Sequence, residues 1–405
     1  MTNPRLLWLL APLALPISSP AAAWSQAFAV EWYEPAFYYG AKEGDSAPGT
    51  DCPAGTNPEN DWRALLKTSY RTDADIEKIL DPENPQRARV GGIRGPNKEN
   101  VYEKPWVVPD PQMVGVTGDL AYGFDLDGNE STGFKGLTGE RGIDNQYYRA
   151  AGCWKAWRGP TRQSHHAKYV NDGMRDGVFT VVMLASGEGK DPANDPDVTV
   201  AFYLARDKLV KDANGGIAHD YSFRINPDPR FQSTIKARTR KGVIESTEHT
   251  DVTLHHMETA PFFPQQLLLH KAKLRIEIQN DGKALALLGG YRPIADYYKG
   301  WAASGAIHEL TTHVNMVGYW YALKKHADFT PDAQSGEPTA ISTAYRMYLV
   351  PAFIIEPDGD AEVQIARLYQ GAIDPSIGRM RMPASVPAAT QAAPAVPTDT
   401  ARLSR

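Results

Sequence analysis

Apolar and polar positions alternate most regularly between residues 267 and 279. One set consists mainly of apolar residues and the other of charged or polar residues. The first set is His270, Ala272, Leu274, Ile276 and Ile278, and the second is Lys271, Lys273, Arg275, Glu277 and Gln279. A period of two is typical of a strand with one buried face and one face in water. The Asn-Asp-Gly sequence at 280–282 favours a hairpin turn, so we predict a half-buried strand that ends in a hairpin.

Further strands are predicted in the middle and towards the C-terminal end of the chain. The candidate segments are 178–184, 198–204, 231–245, 249–257 and 344–355. They are rich in β-branched and apolar residues, and several are bounded by Gly, Pro or Asp. Because two facing sheets are an economical way to bury the apolar faces, the pattern predicts a mainly β fold, an antiparallel β-sandwich.

Three segments have the pattern of helices. Thr72-Asp73 supplies an N-cap and an acidic first turn for a short helix over 74–80. Pro293 suits the first turn of a second helix, over 294–303. Apolar residues then recur at spacings of three and four from Ile307 to Tyr321, which predicts a third helix. We therefore expect the β fold to carry a few helices, most of them near 293–326.

The chain divides into four regions by composition. The first region has one basic residue, a long apolar run and three final alanines, which is typical of a secretory signal peptide cleaved before Trp24. The regions are the signal peptide (1–23), an irregular aromatic-rich wrap (24–109), the β-rich main domain (110–380) and a disordered tail rich in Ala and Pro (381–405). We therefore expect an exported protein, located in the periplasm or the extracellular medium.

Charge and cysteine content narrow the expected partners. A formal net charge of −5 gives no sign of the basic surface that binds nucleic acid. Beyond the signal peptide, no apolar stretch reaches the roughly 20 residues of a transmembrane segment, so a soluble product is expected. In an exported chain the two cysteines, Cys52 and Cys153, are predicted to form a disulfide; a metal site built on them is the weaker alternative.

An acidic motif in the first half of the chain is the best candidate for a metal site. Asp125, Asp127 and Asn129 alternate along one loop, and Asp144-Asn145 follows a glycine-rich stretch. Calcium takes six to eight oxygen ligands, which such loops supply. The motif is not an EF-hand, because its glycine comes one position early and the glutamate at position 12 is missing. The alternative is two ordinary turns whose side chains bond to the backbone.

Aromatic residues next to this motif form a candidate ligand surface. Trp154, Trp157 and Tyr148 lie close to the acidic loop in sequence. Flat rings beside a calcium loop can hold the face of a sugar ring or another small ligand. Filling the core is the alternative role. Short strands, an Asp-Leu-Asp-Gly loop and a signal peptide together resemble exported jelly-roll or concanavalin-like sandwiches, which implies that same fold class.

Histidines provide weak candidates for a catalytic site. His249, Asp251 and His255 would share one face of a strand and could bind an ion or act as a base and its orienting acid. His165 and His166 lie in a polar segment that could form a site or a plain surface loop. A solvated face is the alternative for each group.

A zinc-protease site is excluded by spacing. His308 and His313 are five residues apart, which is about 140° around a helix that turns about 100° per residue. Two histidines that share a zinc ion on one helix need a spacing of four. The chain also has no Gly-x-Ser-x-Gly nucleophile motif and no phosphate-binding Gly-x-x-x-x-Gly-Lys motif.

These features predict an exported, calcium-stabilised β-sandwich that binds a carbohydrate-like or other small ligand. A secreted or periplasmic hydrolase with a His/Asp site is one alternative. A structural or assembly protein without catalysis is the other. Whether the protein is an enzyme stays open at this point.

Overall fold

The computed structural model describes the greater part of the chain. The described residues are 24–39, 49–69, 71–86, 92–158, 164–260, 263–303, 309, 312–332, 334, 336–355, 362–364 and 379–381. Side chains are described for these residues except 165, 166, 169, 255–260, 263–265, 362–364 and 379–381. The predicted signal peptide and residues 382–405 of the predicted tail lie outside the described residues.

Twelve strands form the sheet structure of the described residues. They are β1 (Trp24–Pro35), β2 (Val181–Gly187), β3 (Val198–Leu204), β4 (Tyr221–Arg224), β5 (Gln232–Arg240), β6 (Val243–Ser246), β7 (Thr250–Ala260), β8 (Phe263–Ile278), β9 (Ala284–Pro293), β10 (Ala340–Ile355), β11 (Glu362–Gln364) and β12 (Arg379–Arg381). Strand β3 coincides with the predicted segment 198–204, and the hairpin after β8 is closed by Gln279 N–H donating to the Lys283 carbonyl at 2.7 Å.

Eight of these strands close into an antiparallel β-barrel. Their order is β1-β2-β3-β5-β6-β8-β9-β10, and β10 pairs with β1 to complete the ring. The closing ladder runs from the pair Ala27–Ala352 to the pair Pro35–Tyr345. The other strands extend this frame: β7 pairs with β8, β4 runs parallel to β10, and β11 and β12 continue from β10.

The predicted β-sandwich is therefore wrong, although the prediction of a mainly β protein is right. Alternation along one strand shows which face is buried, but it does not show which strands are neighbours. The strand that closes the barrel, β1, lies in the segment for which an irregular wrap was predicted. A sandwich leaves the outer strands of each sheet without a second neighbour, whereas every strand of this barrel has two.

The interior of the barrel is filled by apolar side chains. Each of the eight strands contributes at least one side chain with no solvent exposure, and these side chains belong to one continuous apolar cluster. Examples, one from each strand, are Phe28, Met183, Val200, Ile235, Ile244, Ile276, Leu288 and Met347. A small barrel of this kind is a packed core rather than an open pore.

Six α-helices are described. They are α1 (Trp62–Thr68), α2 (Asp73–Leu80), α3 (Gln146–Ala151), α4 (His165–Arg175), α5 (Ile294–Ala302) and α6 (Met316–His326). Helices α2 and α5 confirm two predictions, and the Thr72 side chain caps α2. The third predicted helix is interrupted: Glu309 and Thr312 are helical, the chain then turns at His313, where φ is +54°, and α6 begins after Asn315. Within the described residues, no helix has both the length and the apolar character needed to cross a bilayer.

A second apolar cluster, rich in aromatic side chains, lies outside the barrel. Helices α3, α5 and α6 contribute to it, together with segments of the N-terminal region. The rings of Trp157 and Trp301 stack at 4.8 Å, and those of Tyr147 and Tyr297 stack at 4.1 Å. We call this the aromatic cluster; it joins the N-terminal region to the C-terminal helices.

The predicted disulfide is confirmed. Cys52 and Cys153 are bonded, with their Cα atoms 5.9 Å apart. Next to it, the Arg158 guanidinium donates to Asp51 Oδ2 at 2.7 Å in a pair that is almost completely buried. The bond and the ion pair fasten the N-terminal region to the segment after α3. A disulfide of this kind is typical of proteins that fold in an oxidising compartment.

Candidate cation site

Three carboxylates of the acidic motif come together in the structure. One carboxylate oxygen from each of Asp125, Asp127 and Asp144 lies within 4.8 Å of the others. The backbone explains the meeting: Phe124 and Asp144 form a β-bridge, in which the Asp144 N–H donates to the Phe124 carbonyl at 2.8 Å. These residues form a group that could hold a metal ion.

Asp144 is the buried member of this group, with 4% of its surface exposed. Its Oδ2 atom accepts hydrogen bonds from the N–H groups of Leu126 at 2.8 Å and Asp127 at 3.3 Å. Burial, together with the negative charges of Asp127 and Asp125, raises the pKa of Asp144 to about 6. Carboxylates held together in this way are stabilised by a bound cation.

The turns that were the alternative to a metal site are also present. Asp125 Oδ1 accepts from the Gly128 N–H at 2.6 Å, and Asp127 Oδ1 accepts from the Asn129 N–H at 2.7 Å. These bonds use one oxygen of each carboxylate. Asp125 Oδ2 and Asp144 Oδ1 make no hydrogen bond to any described residue. The turns therefore orient the loop and leave oxygens that could bind an ion.

The two predicted asparagine ligands have other contacts. Asn129 Oδ1 accepts from the N–H and the hydroxyl of Ser131. Asn145 caps α3 by accepting from the Tyr148 N–H at 3.3 Å, while its Nδ2 donates to the carbonyls of Ala36 and Tyr122. Asn145 has no solvent exposure, and its contacts position the chain immediately after Asp144.

Three residues that the sequence did not suggest lie around the carboxylates. The Lys273 ammonium donates to the Asp125 carbonyl at 2.7 Å and so ties the loop to β8. The Asp328 carboxylate accepts from the N–H and the hydroxyl of Ser342 at 2.7 and 2.6 Å. Although part of Asp328 is exposed, desolvation of its carboxylate and the nearby charge of Asp144 raise its pKa.

Tyr291 is the third of these residues. It is buried in β9, and its ring stacks on Phe329 at 4.3 Å. Burial raises the pKa of Tyr291, and the charges of Asp144, Asp328, Asp127 and Asp125 raise it further. No sequence pattern links Asp328 or Tyr291 to the acidic motif, because both lie more than 140 positions beyond it.

The histidine candidates are placed differently from the prediction. Asp251 does not pair with His249; its Oδ2 atom lies 2.8 Å from His270 Nδ1, and its Oδ1 atom accepts from the Lys271 N–H at 3.0 Å. Lys271 has a φ of +50° where the pairing of β7, β8 and β9 shifts register, so Asp251 supports a β-bulge. The side chains of His255, His165 and His166 lie outside the described part of the structure.

His249 lies on the same side of the barrel as the acidic motif. Partial desolvation of its ring and the positive charges of Lys273 and Lys271 lower its pKa, while Asp125 raises it. The structure therefore brings the acidic motif and part of the histidine group to one end of the barrel, where β9 ends and β10 begins.

The predicted ligand-binding rings are buried. Trp154 and Trp157 are each 2% exposed, and Tyr148 has no exposure. The two tryptophans and Tyr319 pack on one another, and the Tyr148 hydroxyl donates to Asp51 Oδ2 at 3.1 Å. This arrangement matches the alternative role of filling the core, and the rings offer no exposed face to a ligand.

Comparisons of the chain with protein-family models, with curated proteins and with solved structures find no match. The function must therefore be inferred from the geometry of the site.

Proposed function

We propose that this exported protein binds one calcium ion through Asp125, Asp127 and Asp144, and that the ion fastens the acidic loop to the end of the barrel. The observation that supports the proposal most strongly is the approach of three carboxylates to within 4.8 Å of one another. Two of them, Asp125 and Asp144, keep an oxygen that makes no hydrogen bond to the described residues.

Calcium is the ion that suits these ligands and the expected compartment. Carboxylate and carbonyl oxygens are hard ligands that calcium, a hard cation, prefers. Among the described residues, the group contains no cysteine or histidine, which are the ligands that zinc or copper would favour. Calcium at the concentrations found outside cells would occupy even a weak site.

The proposed role of the ion is structural. Without a cation, negative charges accumulate around Asp144, and its raised pKa reflects that repulsion as well as burial. An ion that binds only the folded state stabilises that state in proportion to its concentration and affinity. Bound at Asp125 and Asp144, it would add a link between two loop segments that an isolated β-bridge and the hydrogen bonds of Asp144 already join.

Asp127 and Asp281 provide a matched test. Both are aspartates followed by glycine, and both accept a hydrogen bond from the N–H two residues ahead, at 2.7 Å for Asp127 and 3.1 Å for Asp281. Only Asp127 belongs to the carboxylate group among the described residues. Asp127→Asn and Asp281→Asn therefore make the same change to similar turns.

The melting temperature of each variant should be measured in EDTA and in 5 mM calcium chloride. These two free calcium concentrations lie well below and well above the dissociation constant expected of a weak extracellular site. We expect calcium to raise the melting temperature of the wild type and of Asp281→Asn. Asp127→Asn should lose most of that increase. An equal response of both variants would contradict the proposal.

A hydrolase remains the second candidate function, and His249 is the observation that favours it. Its ring is exposed, and partial desolvation with the charges of Lys273 and Lys271 lowers its pKa, which favours the neutral form that can accept a proton. Turnover of p-nitrophenyl acetate and p-nitrophenyl phosphate should be measured with wild type, His249→Ala and the control His219→Ala. Loss of turnover only in folded His249→Ala would support a hydrolase; no turnover by wild type would count against it.

A further inference from the structure

A cleft lies between α6 and the segment 108–117, and we call it the α6 cleft. Its lining includes Asp110, Gln112 and Met113 of the segment and Tyr321, Lys325 and His326 of the helix. The lining residues of α6 recur at spacings of three and four from Gly318 to His326, so one face of the helix forms a wall. The cleft has a volume of about 220 Å³. Sites for drug-sized ligands measure about 300–1,000 Å³, so this cleft suits a smaller molecule.

Hydrogen bonds fix the two walls of the cleft in place. The Tyr321 hydroxyl donates to the Val108 carbonyl at 2.9 Å and so ties the segment 108–117 to α6. The buried side chain of Asn57 accepts from the Val114 N–H at 2.6 Å and donates to the Val114 carbonyl at 2.8 Å. The α6 cleft is therefore formed by the fold itself, as small-molecule sites usually are.

Two opposite charges line the α6 cleft without bonding to each other. They belong to Asp110 and Lys325, and neither makes an ion pair with any described residue. Asp110 Oδ1 accepts from the Gln112 N–H at 2.8 Å, whereas Asp110 Oδ2 has no partner in the described part of the chain. The Lys325 ammonium makes no hydrogen bond there either. The cleft therefore presents one negatively charged acceptor and one positively charged donor to a ligand.

His326 adds a hydrogen-bonding group to the Lys325 side of the cleft without adding charge. Burial, together with the positive charges of Lys325 and Arg149, lowers the pKa of His326 to about 4, so its ring is neutral at pH 7. A neutral imidazole donates from one nitrogen, and the His326 ring makes no hydrogen bond to a described residue. Both charges that act on the ring are positive, so the last turn of α6 favours a negatively charged group such as a carboxylate.

Apolar side chains line much of the remaining surface of the cleft. They are Met113, Val116, Ala150 and Ala322. Such a wall favours an apolar part of a ligand, because its burial removes apolar surface from water. An anion or a cation alone would leave one of the two charges of the cleft unpaired. A ligand that carries an ammonium, a carboxylate and an apolar group matches all three features of the cleft.

From this arrangement we infer that the α6 cleft binds a small zwitterion, an amino acid or dipeptide with an apolar side chain. Its ammonium group would pair with Asp110 Oδ2. Its carboxylate would accept from the Lys325 ammonium and the His326 ring. Its apolar side chain would lie against Met113 and Val116. This site shares no residue with the carboxylate group of the cation site and does not depend on a bound ion.

Binding should be measured by isothermal calorimetry in EDTA, so that the result is independent of the cation site. The probes are leucine, methionine, phenylalanine and the dipeptide leucyl-leucine. Lys325→Met is compared with the control Lys324→Met, because both lysines are exposed in the last turn of α6 and only Lys325 lines the cleft. We expect wild type and Lys324→Met to bind at least one probe. Lys325→Met should bind it about tenfold more weakly, the equivalent of about 1.4 kcal/mol.

Analogues of the ligand test the two charges separately. Leucinamide lacks the carboxylate and N-acetylleucine lacks the ammonium, so each should bind wild type about tenfold more weakly than leucine if leucine is a ligand. Three outcomes would overturn the inference. Wild type binds none of the four probes at millimolar concentration, or Lys325→Met binds as tightly as Lys324→Met, or both analogues bind as tightly as leucine.

Discussion

Glu309 is a fully buried carboxyl group whose two oxygens each accept one hydrogen bond. The Tyr102 hydroxyl donates to Oε2 at 2.6 Å and the Met316 N–H to Oε1 at 2.7 Å. Burial raises the pKa of Glu309 to about 7, against its ordinary value of 4.5. The folded protein therefore holds this proton more tightly than the unfolded chain does, and the stability from this group is lost as the pH rises from about 4.5 to 7.

Glu309→Gln should remove that pH dependence. The amide can accept from Met316 and donate to the Tyr102 oxygen, so it replaces both contacts without titrating. We expect similar free energies of unfolding for the variant and wild type at pH 5. At pH 8 the variant should be more stable, by at most about 3 kcal/mol. Urea unfolding between pH 5 and pH 8 measures this, and parallel curves for the two proteins would refute it.

Asn145 is a positioning residue for the carboxylate group. Asn145→Ala removes the cap of α3 and the two hydrogen bonds that the Asn145 amide donates to the buried Ala36 carbonyl and the part-buried Tyr122 carbonyl. We expect the free energy of unfolding in EDTA to fall by about 2–4 kcal/mol. The control is Asn84→Ala, where an exposed amide donates to the Lys78 carbonyl and the loss should be below about 1 kcal/mol. Equal losses of free energy in the two variants would show that the contacts of Asn145 stabilise the fold no more than those of an exposed asparagine.

Elements with a strong local pattern could be predicted from the sequence. The alternation in β8 and the cap of α2 both depend on residues within one strand or one turn, and both are present. The start of α6 was missed because the apolar spacing continues across His313, where the backbone turns. The bulge at Lys271 depends on a contact with Asp251 from another strand, so local spacing does not reveal it.

The disulfide acts between elements, since it closes a loop across 101 positions. A crosslink of that length lowers the entropy of the unfolded chain and stabilises the fold by about 4 kcal/mol in the chain-entropy model. We expect the Cys52→Ala/Cys153→Ala variant to lose about that much free energy of unfolding. Dithiothreitol should destabilise wild type by a similar amount and leave the double variant unchanged. Equal free energies of unfolding for wild type and the double variant in the absence of reductant would show that the disulfide does not stabilise the fold.

At the scale of the whole molecule, closure of the barrel depends on pairs more than 300 residues apart. β1 and β10 meet through pairs such as Ala27–Ala352, and no local signal in the chain specifies such a partner. The same reason explains why Asp125, Asp127 and Asp144 were predicted while Asp328 and Tyr291, which lie around them, were missed. Adjacent motifs can be found in a sequence, but groups assembled by the closed fold cannot.

Barrel closure should appear in hydrogen exchange. Both edges of β1 are paired, one with β2 and the other with β10, so its amides should exchange as slowly as those of β10 and β9. We expect peptides that cover residues 24–35 and 340–355 to exchange together, at the rate set by global unfolding. Peptides covering β11 and β12 give the comparison, since these strands are short. Fast exchange throughout 24–35 would indicate that the barrel is open.

Calcium titration of the EDTA-treated protein by isothermal calorimetry tests the cation site most directly. We predict that wild type and Asp281→Asn bind one calcium ion per chain with the same affinity. Asp127→Asn should bind at least about tenfold more weakly, because one of three carboxylate ligands has lost its charge. No binding by wild type, or equal affinity of the two variants, would show that Asp125, Asp127 and Asp144 form turns and not a calcium site.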